Sequence, residues 1–173
     1  MSEKLIFVDE RDQPIGAGPR EEAWEQGYFT RNIRVVLRDE NGRFLSQKRS
    51  ANKSSYPSMW TVAASGHVDD GESWEVAAQR ETHEEIGASA DMSFVGGFVF
   101  KVDEGQKKIR QVIHVYEGTI NSSTPLKLQE DEVDELKWYD LDELTLLVKH
   151  SPELFTPSFH EIIEKYYSIP SLL

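Results

Sequence analysis

GHVDDGESWEVAAQRETHEEIGA, residues 66–88, decides how the rest of this 173-residue chain is read. Within it Gly66, Glu72, Arg80, Glu81, Glu84, Glu85 and Gly87 fall at the spacing G-x5-E-x7-R-E-x-x-E-E-x-G. Chance would place seven specified residues in that register about once in 10^5 sequences. Ser73 is a helix-capping residue, Glu75 lies in the first turn that follows, and Gly87 can take the left-handed conformation that closes a helix. The spacing therefore predicts a helix over residues 73–86. On it Glu81, Glu84 and Glu85 stand at i, i+3 and i+4, so all three project from one face within about one turn.

Like charges at this spacing destabilise a helix by roughly a few tenths of a kcal/mol each, and carboxylates late in a helix also oppose its dipole. Divalent cations on the face would offset that cost. Three carboxylates with positions open for water and phosphate oxygens match the coordination of Mg²⁺. Gly66 and Gly71 bracket a turn where backbone can approach a ligand closely, and the Gly66 carbonyl could complete the ligand set. A pairing of Glu72 with Arg80 would tie this loop to the helix. The plainer alternative is a solvated helix on which Arg80 pairs with Glu84.

Working outward, the composition narrows the field. A chain of this length suits one domain, residues 1–173, that buries about 70% of the surface its unfolded form exposes. There is no cysteine, which excludes disulfides, thiolate metal sites and cysteine nucleophiles. The first apolar run, Leu5 to Val8, is too short for a signal-peptide core or a bilayer span, so a cytoplasmic location is expected. A formal net charge of -12 disfavours nucleic acid and anionic membranes as partners. An acidic protein that acts on phosphates needs cations between itself and its substrate. Nothing sets the oligomeric state, and a homodimer stays open.

Residues 4–8 and 14–16 read as an N-terminal hairpin, followed by a short helix over 19–27 with proline at its start and glycine at its end. Residues 31–38 and 43–49 read as strands joined through Asn41-Gly42, a hairpin signal. A polar loop over 51–58 leads to a short strand at 59–63. Beyond the central helix, 92–102 and 108–119 form another hairpin, 133–139 a last strand, and 141–149 and 157–167 two helices. The composite is an α+β domain, a mixed sheet with helices against it and residues 1–28 as an N-terminal extension.

The 66–88 pattern resembles the signature of the Nudix hydrolases. That resemblance implies a Nudix fold and Mg²⁺ or Mn²⁺ held by the loop-helix-loop. It also implies hydrolysis of a diphosphate linkage in a nucleoside-diphosphate-type or related small substrate. By match to the motif, Glu81, Glu84 and Glu85 with Gly66 are the metal-ligand positions, and Glu81 also orients or deprotonates water. Glu72 and Arg80 carry over as supporting residues. Thr82 departs from the aliphatic residue usual there. A further glutamate from outside the helix is often recruited, and Glu117, Glu130, Asp131 and Glu132 are the candidates.

About residues 4–165 resemble one branch of the family, the type 1 isopentenyl diphosphate isomerases and the hydrolases most like them. The carriers are FLSQKRS, YPSMWTVAASGHVDDGES and EDEVDELKWYDLDEL. Such isomerases need a cysteine and a glutamate on opposite sides of the double bond and a histidine-rich metal site. Here those positions are Ser65, Gln111 and Thr30, and only His67 survives of the histidines. A serine hydroxyl has too high a pKa for the acid or base role of a thiol, so the hydrolase-like members match better. A non-catalytic diphosphate-binding module is the remaining alternative. Lys48, Arg49 and His67 are candidate substrate contacts, with surface charge or a satisfied histidine as the plainer readings. Tyr56 and Trp60 either pack in the core or stack on a base.

Overall fold

The computed structural model describes residues 4–167. An N-terminal extension comes first, with strands β1 (Leu5–Val8) and β2 (Pro14–Gly18) and helix α1 (Arg20–Gln26). Gly27, at φ +72°, ends α1 and donates its N–H to the Ala23 carbonyl, as the glycine at that position predicts. Strands β3 (Phe29–Arg38), β4 (Phe44–Arg49), β5 (Trp60–Thr61) and β6 (Ala64–His67) lead into helix α2 (Trp74–Ile86). Strands β7 (Met92–Glu104), β8 (Lys107–Thr119) and β9 (Val133–Tyr139) follow, then helices α3 (Leu141–His150) and α4 (Pro157–Ile162). The expected terminal helix over 157–167 is α-helical only as far as Ile162 and continues as a π turn over Ile163–Tyr167.

Among the described residues, nine strands join one mixed sheet built around β3. One edge of β3 pairs in parallel with β8 along its length, from Thr30↔Gln111 to Arg38↔Thr119. Three strands share the other edge: β1 at Phe29 and Thr30, β6 from Asn32 to Val35, and β4 at Leu37 and Arg38. The hairpin expected through Asn41-Gly42 is therefore only two residue pairs deep, Leu37↔Leu45 and Arg38↔Phe44. Beyond them β6 takes the edge of β3, while β4 turns to β5 and β9. The strand expected at 59–63 is only two residues long, and a separate strand follows it. Trp60–Thr61 stays with β4, and Ala64–His67 crosses to β3. A wedge opens where β3 and β4 part, and the site described below occupies it.

Side-chain alternation along β3 feeds two cores. Ile33, Val35 and Leu37 pack with Ala77, Ala78 and Ile86 of α2. Val36 packs on the opposite face with Leu144 and Val148 of α3 and Phe159 and Ile162 of α4. The result is a mixed sheet sandwiched between helices. Among the described residues, no helix is long and apolar enough to cross a membrane.

Candidate active site

Helix α2 begins where its capping chemistry predicts. Ser73 Oγ accepts the Val76 N–H at 3.3 Å, and Gly87, at φ +67°, donates its N–H to the His83 carbonyl. A Cβ on Gly87 would also lie 3.1–3.2 Å from Lys127, backbone nitrogen included, so glycine serves both the turn and the packing. The inward face of α2 is made by Ala77, Ala78, Thr82, Glu85 and Ile86. Thr82 is wholly buried, and its hydroxyl donates to the Ala78 carbonyl at 2.7 Å, which satisfies the group without a partner outside the helix.

The three carboxylates of the face occupy three environments. Glu84 is exposed, Glu81 half-buried, and Glu85 only 6% exposed. Glu85 Oε2 accepts from Gln47 Nε2 at 2.7 Å and from the Ser65 N–H at 3.1 Å. Burial pushes its pKa up to about 8, the charge of Glu81 adds to the rise, and these two hydrogen bonds oppose it. Gly66 lies against Glu81, and a Cβ there would stand 2.0 Å from Glu81 Oε1, closer than any side chain permits.

Arg80 organises the loop. Its Nε and Nη2 fork onto the Glu72 carboxylate at 2.8 and 2.9 Å, Nη2 also donates to the His67 carbonyl, and Nη1 reaches Glu81 Oε1 at 2.7 Å. The contact with Glu84, at 3.4 Å, is the weakest of the set. Glu72 in turn accepts the Asp69 N–H at 3.1 Å. The loop is thus clamped to the helix through Glu72, and the simple Arg80–Glu84 pair is a minor part of the arrangement.

These groups form one wall of a cavity of about 320 Å³ in the wedge between β3 and β4. Of the candidate substrate contacts, Arg49 and His67 line it and Lys48 does not. Alternation along β4 explains the difference, because Gln47 faces Glu85 and the next side chain points the other way. The His67 imidazole favours its neutral form, its pKa pushed down to about 3 by burial and then by the fields of Arg20 and Arg34. Of the outside carboxylates, Glu132 reaches the cavity and pairs with Lys53. Glu130 and Asp131 are exposed beside it, and Glu117 is held elsewhere by Tyr167 and Arg38. Tyr56 lines the cavity, whereas Trp60 packs edge-on against Tyr139.

Arg20, Arg34 and Lys53, which also line the cavity, escaped the sequence reading. One signal was present for Arg34, an arginine set among the apolar residues of a central strand. Gln47 was likewise invisible, because its role depends on β4 lying beside α2.

A family model described as the NUDIX domain matches residues 28–159. The chain belongs to the Nudix family. It is 32% identical over 164 residues to a Photorhabdus laumondii protein named isopentenyl-diphosphate Delta-isomerase 2, covering 94% of this chain and 92% of that one. It is 30% identical over 162 residues to a Methanosarcina mazei protein named prenyl-diphosphate phosphatase, covering 92% of each. In architecture it is similar to a solved Deinococcus radiodurans structure, with a TM-score of 0.79 at 23% identity, covering 96% of this chain and 100% of that one. Nudix enzymes of the hydrolase class generally work with divalent cations, and the residues here suit one. The donors are all oxygens, Gly66 gives Glu81 unobstructed space, and among the described residues the buried Glu85 has no cationic partner within ion-pair distance. Among the described residues, no three acidic or histidine side chains already converge on a point. Glu81 leans on Arg80 while Glu85 leans on Gln47 and Ser65.

Proposed function

We propose that the protein is a hydrolase dependent on Mg²⁺ or Mn²⁺ that cleaves the phosphoanhydride of a small organic diphosphate. The observation that carries this reading is the carboxylate face of α2 opening, across Gly66, into a cavity whose other walls bear Arg34, Arg49 and Lys53. Gly66, Glu81, Glu84 and Glu85 would hold the cation, which supplies neutralisation of diphosphate charge and a lowered pKa for the attacking water. Glu81, oriented by Arg80, accepts the proton of that water. Glu72 keeps Arg80 in place, and Arg49 and His67 meet the substrate. The reacting linkage lies among these groups, and the organic group extends toward Trp24, Phe100 and Ile109, which also line the cavity.

The isomerase named among the relatives is the second reading, and it fails at the reacting groups. Ser65 and Gln111, matched to the positions of the isomerase cysteine and glutamate, both line the cavity. A hydroxyl and an amide there cannot exchange protons with a double bond near neutral pH. The test is a panel of nucleoside di- and triphosphates, nucleotide sugars, dinucleotides and prenyl diphosphates with and without Mg²⁺ or Mn²⁺. At least one should be hydrolysed only with metal, and Glu84→Gln and Glu85→Gln should abolish that turnover in folded protein. Isomerisation of a prenyl diphosphate, or binding without turnover across the panel, would reject the hydrolase.

A further inference from the structure

Among the described residues Arg34 has no carboxylate partner. Its Nη1 donates to the Ile33 carbonyl at 2.9 Å, its Nη2 to Gln111 Oε1 at 3.2 Å, and its Nε to Ser158 Oγ at 3.4 Å. All three acceptors are neutral. Among the described residues no carboxylate oxygen comes within 4.0 Å of it, although the side chain is half-buried against the cavity. The carboxylates whose fields reach it are Glu85 and Glu81, on the metal-binding wall. Arg49 is in a like position, since Nε and Nη2 both donate to the Ser55 carbonyl at 3.1 and 2.9 Å. The two guanidinium groups repel, and desolvation together with that repulsion lowers the pKa of Arg34 to about 10, still far above neutrality. A cation partly withdrawn from water without a counter-ion favours the arrival of an anion.

The Gln111 amide fixes which atom Arg34 sees. Gln111 Nε2 donates to Asn32 Oδ1 at 3.1 Å, and Asn32 Nδ2 donates to Thr30 Oγ1 at 3.1 Å. This chain of hydrogen bonds runs along the pairing of β3 with β8, where Thr30 lies opposite Gln111, and turns the amide oxygen toward Arg34. A glutamate at 111 would neutralise the guanidinium. The amide positions it and leaves its charge intact.

We infer that Arg34, together with Arg49, binds a phosphoryl group of the substrate diphosphate on the wall facing the metal site, and that Gln111 is the positioning residue that keeps Arg34 available. The inference rests on the diphosphate-hydrolase reading for its ligand, and inorganic pyrophosphate serves as the probe because it needs no turnover. Titration calorimetry with pyrophosphate in Mg²⁺ should show Kd rising about tenfold or more in Arg34→Gln and in Gln111→Glu, with Arg34→Lys in between. Mn²⁺ affinity, followed by electron paramagnetic resonance, should stay at the wild-type value in each. Unchanged pyrophosphate affinity in a folded Arg34→Gln or Gln111→Glu protein would overturn the assignment, because a merely structural arginine would lower Tm and leave Kd alone. Loss of Mn²⁺ affinity alongside it would do the same, as would failure of the wild type to bind pyrophosphate. Should Arg34→Gln not fold, Gln111→Glu decides. An inactive substrate panel would reject the hydrolase while leaving this binding measurement to judge Arg34.

Discussion

A methyl group on Gly66 would stand 2.0 Å from Oε1 of Glu81, so the first glycine of the central stretch and a carboxylate fifteen positions later occupy a single packing site. Gly66→Ala should therefore displace Glu81. A misplacement of this size at a reacting group lowers turnover by about 10²-fold or more. The mutant should remain folded by circular dichroism, and near wild-type turnover would show that Glu81 does not act from its present position.

Arg80 holds Glu72 by two nearly parallel hydrogen bonds and Glu81 by a third. Lysine cannot reproduce that fork. Arg80→Lys should lower unfolding free energy by about 1–3 kcal/mol in urea denaturation and reduce turnover with it, because Glu81 loses its guide. Glu72→Gln should have a similar effect, and the double mutant should lose less than the sum of the two.

His67 makes folding sensitive to acid. Burial lowers its pKa to about 3 in the folded chain, against 6.5 for an ordinary imidazole. Below about pH 6.5 the unfolded chain takes up a proton that the folded chain refuses, so stability falls as pH falls toward 3. His67→Gln removes this contribution. Its urea midpoint should drop less than that of the wild type between about pH 7 and pH 4.

Thr82 back-bonds within its own helix from a fully buried position. Thr82→Val keeps the shape and removes a buried hydroxyl whose acceptor, the Ala78 carbonyl, stands at the distance of the next helical turn. Stability should rise by up to about 1 kcal/mol with turnover unchanged, as read by Tm and the rate on a hydrolysed substrate. A clear loss of stability would mean that the hydroxyl bond outweighs the apolar contact.

Local order explains which parts of the fold were legible. The helix 73–86, its Ser73 cap and its Gly87 stop are decided by residues within a few positions of one another, and they appear as expected. The 39–42 turn also forms, closed by Asp39, whose carboxylate accepts from the backbone of Asn41 and Arg43. Its strands nevertheless part after two pairs, because β6, from a later segment, binds the edge of β3 that a simple hairpin would have used. Lys48 and Arg49 look alike in the sequence. They differ only in which face of β4 they serve, a distinction set by the position of α2.

The central stretch by itself determined the family, the helix and the row of Glu81, Glu84 and Glu85 along it, because helical periodicity and capping are local properties. The absence of cysteine also excluded disulfides, thiolate metal sites and a cysteine nucleophile. Only the tertiary structure decided that the three carboxylates differ in burial, that Arg80 clamps Glu72 and Glu81 together, and that Arg34 faces them from a strand. Those relationships are contacts between segments far apart in the chain, and a pattern of neighbouring residues carries no record of them.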